Sequence, residues 1–210
     1  MEELVSAGLV KSIGVSNFNK RQIERILASC TIPPVVNQVE VNIHWLNTKL
    51  IEFCHSKNIQ VEAYAPFGSP GFMKAAFHAP RRGQAKPLLQ EENVVEIAHK
   101  HKKTPAQVLL RHGLQRGLIV LTKSVTPERI KSNFDVTFEV FDFELTDAEM
   151  EKLNKTGLNK RLRFLSLGMS LFILVLKSIR NIRSTRSISC SAAIFHGDVR
   201  DYVYACRPLL

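Results

Sequence analysis

Polar and apolar positions change period several times along the first 155 residues. Leu9–Val15 is a short β-branched run ending in Ser16-Asn17 and reads as a strand. Asn19–Leu27 places Ile23, Ile26 and Leu27 on one helical face, and Pro33-Pro34 then breaks the chain. Val35–Val41 reads as a strand, Thr48–Lys57 as a helix, and Ile59–Ala65 as a strand stopped at Pro66. Residues 66–91 carry Pro and Gly and read as a long loop. Glu92–His101 is a helix with Val94, Val95, Ile97 and Ala98 on its buried side. Thr104 and Pro105 suit the cap and first position of a helix running to about Gln115. Leu118–Leu121 reads as a strand, and Thr126–Phe134 and Thr146–Asn154 as helices. The second of these is opened by the capping-box pattern Thr146-Asp147-Ala148-Glu149.

Strand and helix alternate four times, which predicts an α/β fold with parallel strands and crossover helices. The strands read as mostly apolar on both faces, as a buried parallel sheet requires. Polar residues gather at their C-terminal ends: Ser16-Asn17, Gln38 to Glu40, Tyr64 and Lys123-Ser124. Both a β/α barrel and a doubly wound sheet build sites at that end, and periodicity does not separate them.

The 210 residues suffice for one domain with a core, or a domain plus an appendage. Hydrophobic residues make up 45% and charged residues 23%, which fits a globular chain rather than a disordered one. Net charge is +10. Residues 1–155 hold 20 Lys+Arg against 17 Asp+Glu, and residues 156–210 hold 9 against 2. The basic excess therefore belongs to the tail, and a nearly balanced body argues against a nucleic-acid partner. Cys30, Cys54, Cys190 and Cys206 form no CxxC pair, so neither a metal site nor a disulfide framework is expected. The N-terminus MEELVSAGLVKS has acids where a secretion signal has bases, and the expectation is a cytoplasmic protein.

The stretch Thr122–Asn133, TKSVTPERIKSN, follows an apolar strand and opens a helix with Lys123, Ser124, Thr126, Arg129 and Lys131 close together. Together with LVSAGLVKSIGVSNFN, PVVNQVEVN and VEAYAPFGSPG, in that order, it resembles the second half of an aldo-keto reductase. That family consists of NADP(H)-dependent (β/α)8 barrels. The resemblance covers roughly residues 1–160 and implies a partial TIM barrel, strands five to eight with their helices. It implies that Lys123 and Arg129 hold the 2′-phosphate of NADP(H), with Ser124, Val125 and Thr126 donating around it. Asn133 is implied to reach the adenine. Tyr64 resembles the tyrosine that stacks on the nicotinamide, and Ser16, Asn17 and Gln38 resemble the ligands of its carboxamide. Ala65, Phe67 and Ser69 match positions lining the pyrophosphate.

The family tetrad of Asp, Tyr, Lys and His matches no position here, so no catalytic residue is assigned. The implied whole reaction is NADPH-dependent reduction of a small aldehyde or ketone, with this chain carrying the cofactor half and inactive alone. The alternative is a non-catalytic half-barrel that holds NADP, pairs with another half, or docks on membrane through its tail, although a membrane partner is not the expectation. His44 is expected to be a surface or loop residue. Ser132, where a carboxylate is usual, points to weaker adenine binding, and residues 135–142 look like an insertion or local duplication.

Resemblance fades after about Arg161, so residues 161–210 are read as a divergent tail. Phe164–Leu176 is a run of 13 uncharged residues, shorter than the roughly 20 that span a bilayer. The tail reads as a terminus foreign to the family fold, an interfacial segment, or an element covering the open half-barrel. Open barrel edges imply self-association or poor folding of the isolated chain.

Overall fold

The structure is a computed structural model and describes residues 1–68, 87–124, 126–128, 140–157, 174–176 and 190–194. A short helix α1 (Glu2–Ser6) precedes β1 (Ser12–Ser16), α2 (Lys20–Leu27), β2 (Val36–Glu40), α3 (Thr48–Ser56) and β3 (Gln60–Tyr64). A 3-10 turn at Leu88–Gln90 leads into α4 (Glu92–His101) and α5 (Pro105–Gln115). β4 (Ile119–Ser124) and α6 (Asp147–Thr156) complete the body, and the tail adds β5 (Leu174–Leu176) and β6 (Cys190–Ile194). The helix expected at Thr126–Phe134 falls mostly outside the described residues, as does the body of the loop expected at 66–91.

Helix ends follow the chemistry of the sequence. Asn19, Thr104 and Thr146 each cap a helix with a reciprocal box, closed by Gln22, Gln107 and Glu149 respectively. Helix α6 stops at Gly157, where any Cβ would collide with the carbonyl oxygen of Ile43. Only glycine allows that approach.

The strand order is β5-β1-β2-β3-β4-β6. The inner four strands are parallel, and β5 and β6 pair antiparallel with β1 and β4. Successive strand residues point to opposite faces. Val15, Val39, Val61, Ala63 and Val120 belong to one core cluster with Ile23 of α2, Cys54 of α3 and Leu110 of α5. A second cluster joins Val94 and Ile97 of α4, Leu109 of α5 and Leu153 of α6.

The opposite face differs from the sequence expectation of strands apolar on both sides. Ser16, Gln38 and Glu62 stand in one row with Ile119, and Glu40 pairs with Tyr64 one step further. Glu40 and Glu62 on this face are nonetheless buried, beside the apolar Val36 and Ile119.

Two further expectations are corrected. The edges of the parallel sheet do not stand open, since β5 lies along Ser12–Gly14 and β6 along Val120–Ser124. The tail satisfies backbone groups that would otherwise template association. Strand β4 also runs to Ser124 rather than ending at Leu121, because its pairing with β6 continues through Lys123 and Ser124. A chain cut after Gly157 loses both covering strands. The expected outcome is lost amide protection along β1 and β4 in hydrogen exchange, together with concentration-dependent association in light scattering.

Two titrating groups tie the helices together. His112 is buried with Nε2 2.9 Å from Asn154 Oδ1. Burial pushes its pKa down to about 4, with the Asn154 bond opposing and Arg116 adding to the depression. At Glu149, burial raises the pKa, but bonds from Lys100, Thr146 and His101 outweigh it and hold the carboxyl at about 2. Both groups bind protons more tightly in the unfolded chain, so each loses its contribution as pH falls. For His112 the window runs from its ordinary value near 6.5 down to about 4, and for Glu149 from about 4.5 to about 2. Melts at pH 7 and pH 4.5 should show a clear loss of Tm, and a smaller loss in H112Q, which has nothing to titrate in the upper window.

Candidate functional site

The C-terminal ends of β1, β2 and β3 bring four of the expected residues into direct contact. The carbonyl oxygen of Gln38 accepts from the backbone N–H of Asn17 at 2.8 Å and from Ser16 Oγ at 3.0 Å. The Tyr64 hydroxyl donates to Asn17 Oδ1 at 3.0 Å, and Asn17 Nδ2 donates to Ser16 Oγ at 3.3 Å. The bond from Tyr64 to Asn17, 47 positions apart in sequence, thus joins the three strand ends into one hydrogen-bonded patch.

Asn37, fully buried beside Gln38, holds this patch from behind. Its side-chain amide donates to Phe18 O at 3.0 Å and accepts from Phe18 N at 3.4 Å. That two-way clamp fixes the turn after β1. Asn17 there adopts φ 60°, a left-handed conformation that asparagine tolerates better than most residues. Ala65 does the same after β3 at φ 55°, where a Cβ costs roughly 1–2 kcal/mol. Its carbonyl oxygen accepts from Gly68 N at 2.9 Å and from Asn42 Nδ2 at 3.4 Å. The strained turn is therefore held by bonds on its far side. Phe67 is part-buried and packs against both core clusters, so its side chain belongs to the core and only its backbone is free to line a site.

Lys123 is exposed near the end of β4, paired through its backbone with Ser191. Ser124 pairs with Cys190. Thr126 is half-buried just beyond. Ser69, Val125, Arg129 and Asn133 lie outside the described residues.

One residue near the patch was not singled out by the sequence reading. Glu62 is 1% exposed, and its Oε2 accepts from Gln38 Nε2 at 2.6 Å. The signal for it was period two: Gln60, Glu62 and Tyr64 share a strand face. His44 is in a loop but is not a surface residue. It is 2% exposed, with Nε2 3.0 Å from Glu91 Oε1. The loop folds inward because the backbone N–H groups of His44 and Trp45 both donate to Asn42 Oδ1. Among the described residues, no three His, Cys, Asp or Glu side chains converge as a metal site would require.

Comparison with known proteins gives this arrangement a context. The aldo/keto reductase family pattern matches residues 1–157, and the chain belongs to that family. It is 41% identical over 174 residues to aldo-keto reductase family 1 member D1 of Mus musculus, covering 80% of this chain and 49% of the relative. It is 45% identical over 161 residues to member A1-A of Danio rerio, covering 77% and 47%. The solved aldose reductase of Schistosoma japonicum superposes with a TM-score of 0.66 at 50% identity, over 79% of this chain and 48% of that one. The Bombyx mori aldo-keto reductase, solved in complex with NADP, gives 0.66 at 37% identity, over 79% and 51%. The chain thus spans about half the length of the relatives it matches. Strands β5 and β6 lie beyond the family match.

The contact between strands β1 and β3 generates a direct test. Tyr64→Phe deletes the bond to Asn17 and should cost about 0.5–1.5 kcal/mol in urea unfolding. The side-chain amide resonances of Asn17 should shift at the same time, while those of Asn93 on α4 stay in place.

Proposed function

We propose that this chain is the cofactor-binding half of an NADP(H)-dependent reductase of small aldehydes and ketones. Its four parallel strands are read as strands five to eight of a (β/α)8 barrel, within a family-like unit of residues 1–160 and a divergent tail of 161–210. The observation that carries the reading is the convergence of Ser16, Asn17, Gln38 and Tyr64 on one hydrogen-bonded patch at the strand ends.

In this reading Tyr64 offers an aromatic face to the nicotinamide, and Ser16, Asn17 and Gln38 bind its carboxamide. The backbone around Ala65, Phe67 and Ser69 lines the pyrophosphate. Lys123 and Arg129 meet the 2′-phosphate with point charge and planar fork, helped by Ser124, Val125 and Thr126, while Asn133 contacts the adenine. The cofactor supplies the hydride chemistry when bound, and the protein supplies position and electrostatics. The exposure of Lys123 fits the role, because an ammonium at the surface is available to an incoming phosphate.

No residue matches the family's tetrad, so turnover is assigned to residues outside this sequence and the 210-residue chain is proposed to be inactive alone. The location is proposed to be cytoplasmic. Among the described residues no helix is long and apolar enough to cross a membrane.

NADPH at about a hundred times its dissociation constant should stabilise the chain by roughly 2.7 kcal/mol. For a chain of this size that is about 5–10 °C in Tm. NADH should give a much smaller shift, and Lys123→Ala should bring the NADPH shift close to the NADH one. Equal shifts with both dinucleotides, or none with either, overturn the reading.

A further inference from the structure

Gln38 and Glu62 are register partners on adjacent parallel strands, so their side chains rise from the same face of the sheet. Gln38 Nε2 lies 2.6 Å from Glu62 Oε2. Glu62 is 1% exposed, which places a carboxylate out of water with the Gln38 amide among its partners. Ser16 completes the row on the other side of Gln38 and holds the Gln38 backbone carbonyl, not its side chain.

A primary amide has two ends of nearly equal shape and opposite polarity. Its –NH2 end donates and its oxygen accepts. A carboxylate only accepts, so the end of Gln38 that faces Glu62 is the –NH2 end. Turning the amide over would set two acceptors against each other at hydrogen-bond distance in a site shielded from solvent. The bond from Gln38 Nε2 to Glu62 Oε2 therefore selects one of two orientations. It leaves Gln38 Oε1 as an acceptor.

We propose that Glu62 is a positioning residue that fixes the polarity of the Gln38 amide, and that it thereby makes the site selective for a carboxamide on the cofactor ring. This rests on the cofactor reading given above and adds a selectivity to it. An acceptor held at Gln38 Oε1 calls for a donor on the ligand, which the carboxamide –NH2 of nicotinamide supplies. A ring carrying a methyl ketone has no N–H and leaves that acceptor unpaired. Sites built to receive a hydrogen bond reject analogues that lack it. Asn37 and the turn at Asn17 fix the backbone of the patch, but Glu62 fixes the side chain that reads the ligand.

The test is calorimetric titration of the 210-residue chain with three probes. NADP+ carries the carboxamide, its 3-acetylpyridine analogue carries a methyl ketone, and adenosine 2′,5′-bisphosphate has no ring at all. The wild-type chain should prefer NADP+ over the ketone analogue by about tenfold, the scale of one hydrogen bond. Glu62→Leu should bring the two dinucleotides to within about twofold, with the affinity for the bisphosphate unchanged. Glu62→Gln keeps the side chain's shape but can offer Gln38 either a donor or an acceptor, so it no longer fixes the amide's polarity and should also lose most of the preference, with the affinity for the bisphosphate unchanged.

If Glu62→Leu weakens all three probes alike, the residue is merely structural and the proposal fails. It also fails if the preference for the carboxamide survives in Glu62→Leu. A wild-type chain that binds the bisphosphate and both dinucleotides without preference refutes the selectivity but leaves the cofactor reading standing. A wild-type chain that binds none of the three overturns both. Should Glu62→Leu lose its cooperative melt, the wild-type chain still decides the matter by nuclear magnetic resonance. The Gln38 side-chain amide, assigned by its loss in Gln38→Leu, should be protected from exchange and shift with NADP+ but not with the bisphosphate. A rapidly exchanging, unresponsive amide refutes the proposal.

Discussion

Everything in this fold depends on keeping four parallel strands in register so that one apolar face meets the helices. Val15, Val39, Val61 and Val120 meet α2, α3 and α5 on that side. Each pays for the order of the chain with apolar surface removed from water, about 25 cal/mol per Å2. A slip of one residue on any strand would turn those valines out and bring Gln38 or Glu62 against the helices. The apolar face thus fixes the register, and the register places Ser16, Gln38 and Glu62 side by side. The polar patch is a consequence of the hydrophobic one.

The patch is stiff for reasons that can be separated. Asn37 lies on the helix-facing side and clamps Phe18, so the turn carrying Asn17 is anchored in the core. Tyr64 reaches across from β3 to the same Asn17. Strain at Ala65 is offset by bonds to its carbonyl from Gly68 and Asn42. Left-handed conformations at non-glycine residues persist only where surrounding structure determines them. Here two of them, Asn17 and Ala65, flank the patch at the ends of β1 and β3. A binding surface assembled in advance loses less conformational entropy on meeting a ligand.

The elements of the body were legible because local signals agreed with the global fold. Thr104-Pro105 and Thr146-to-Glu149 marked helix starts that the structure reproduces as capping boxes. The strand ends carrying Ser16, Gln38 and Tyr64 were legible from polarity and from family resemblance together. Other features depended on contacts no window of sequence contains. The polar face of the sheet was missed because Glu62 sits between the apolar Val61 and Ala63 and looks like an interruption of a buried strand. The burial of His44 follows from Asn42 capturing two backbone amides in the loop, and no composition rule signals that. Strand β4 was read three residues short because its continuation is paired by β6, some 70 residues later in sequence.

The tail makes the same point about edges. A parallel sheet of four strands has two bare edges, and neighbours beyond the matched half would ordinarily pair with them. Here the pairing comes from residues beyond the family match: three register pairs on β1 and five on β4. The two sides are not equivalent, since the longer contact lies along the strand that carries Lys123 and Ser124. Covering β4 therefore holds the proposed phosphate corner in an extended conformation, whereas covering β1 touches only its first half, away from Ser16. The sequence that looked most foreign to the fold thus carries the strands that pair with both edges of the parallel sheet.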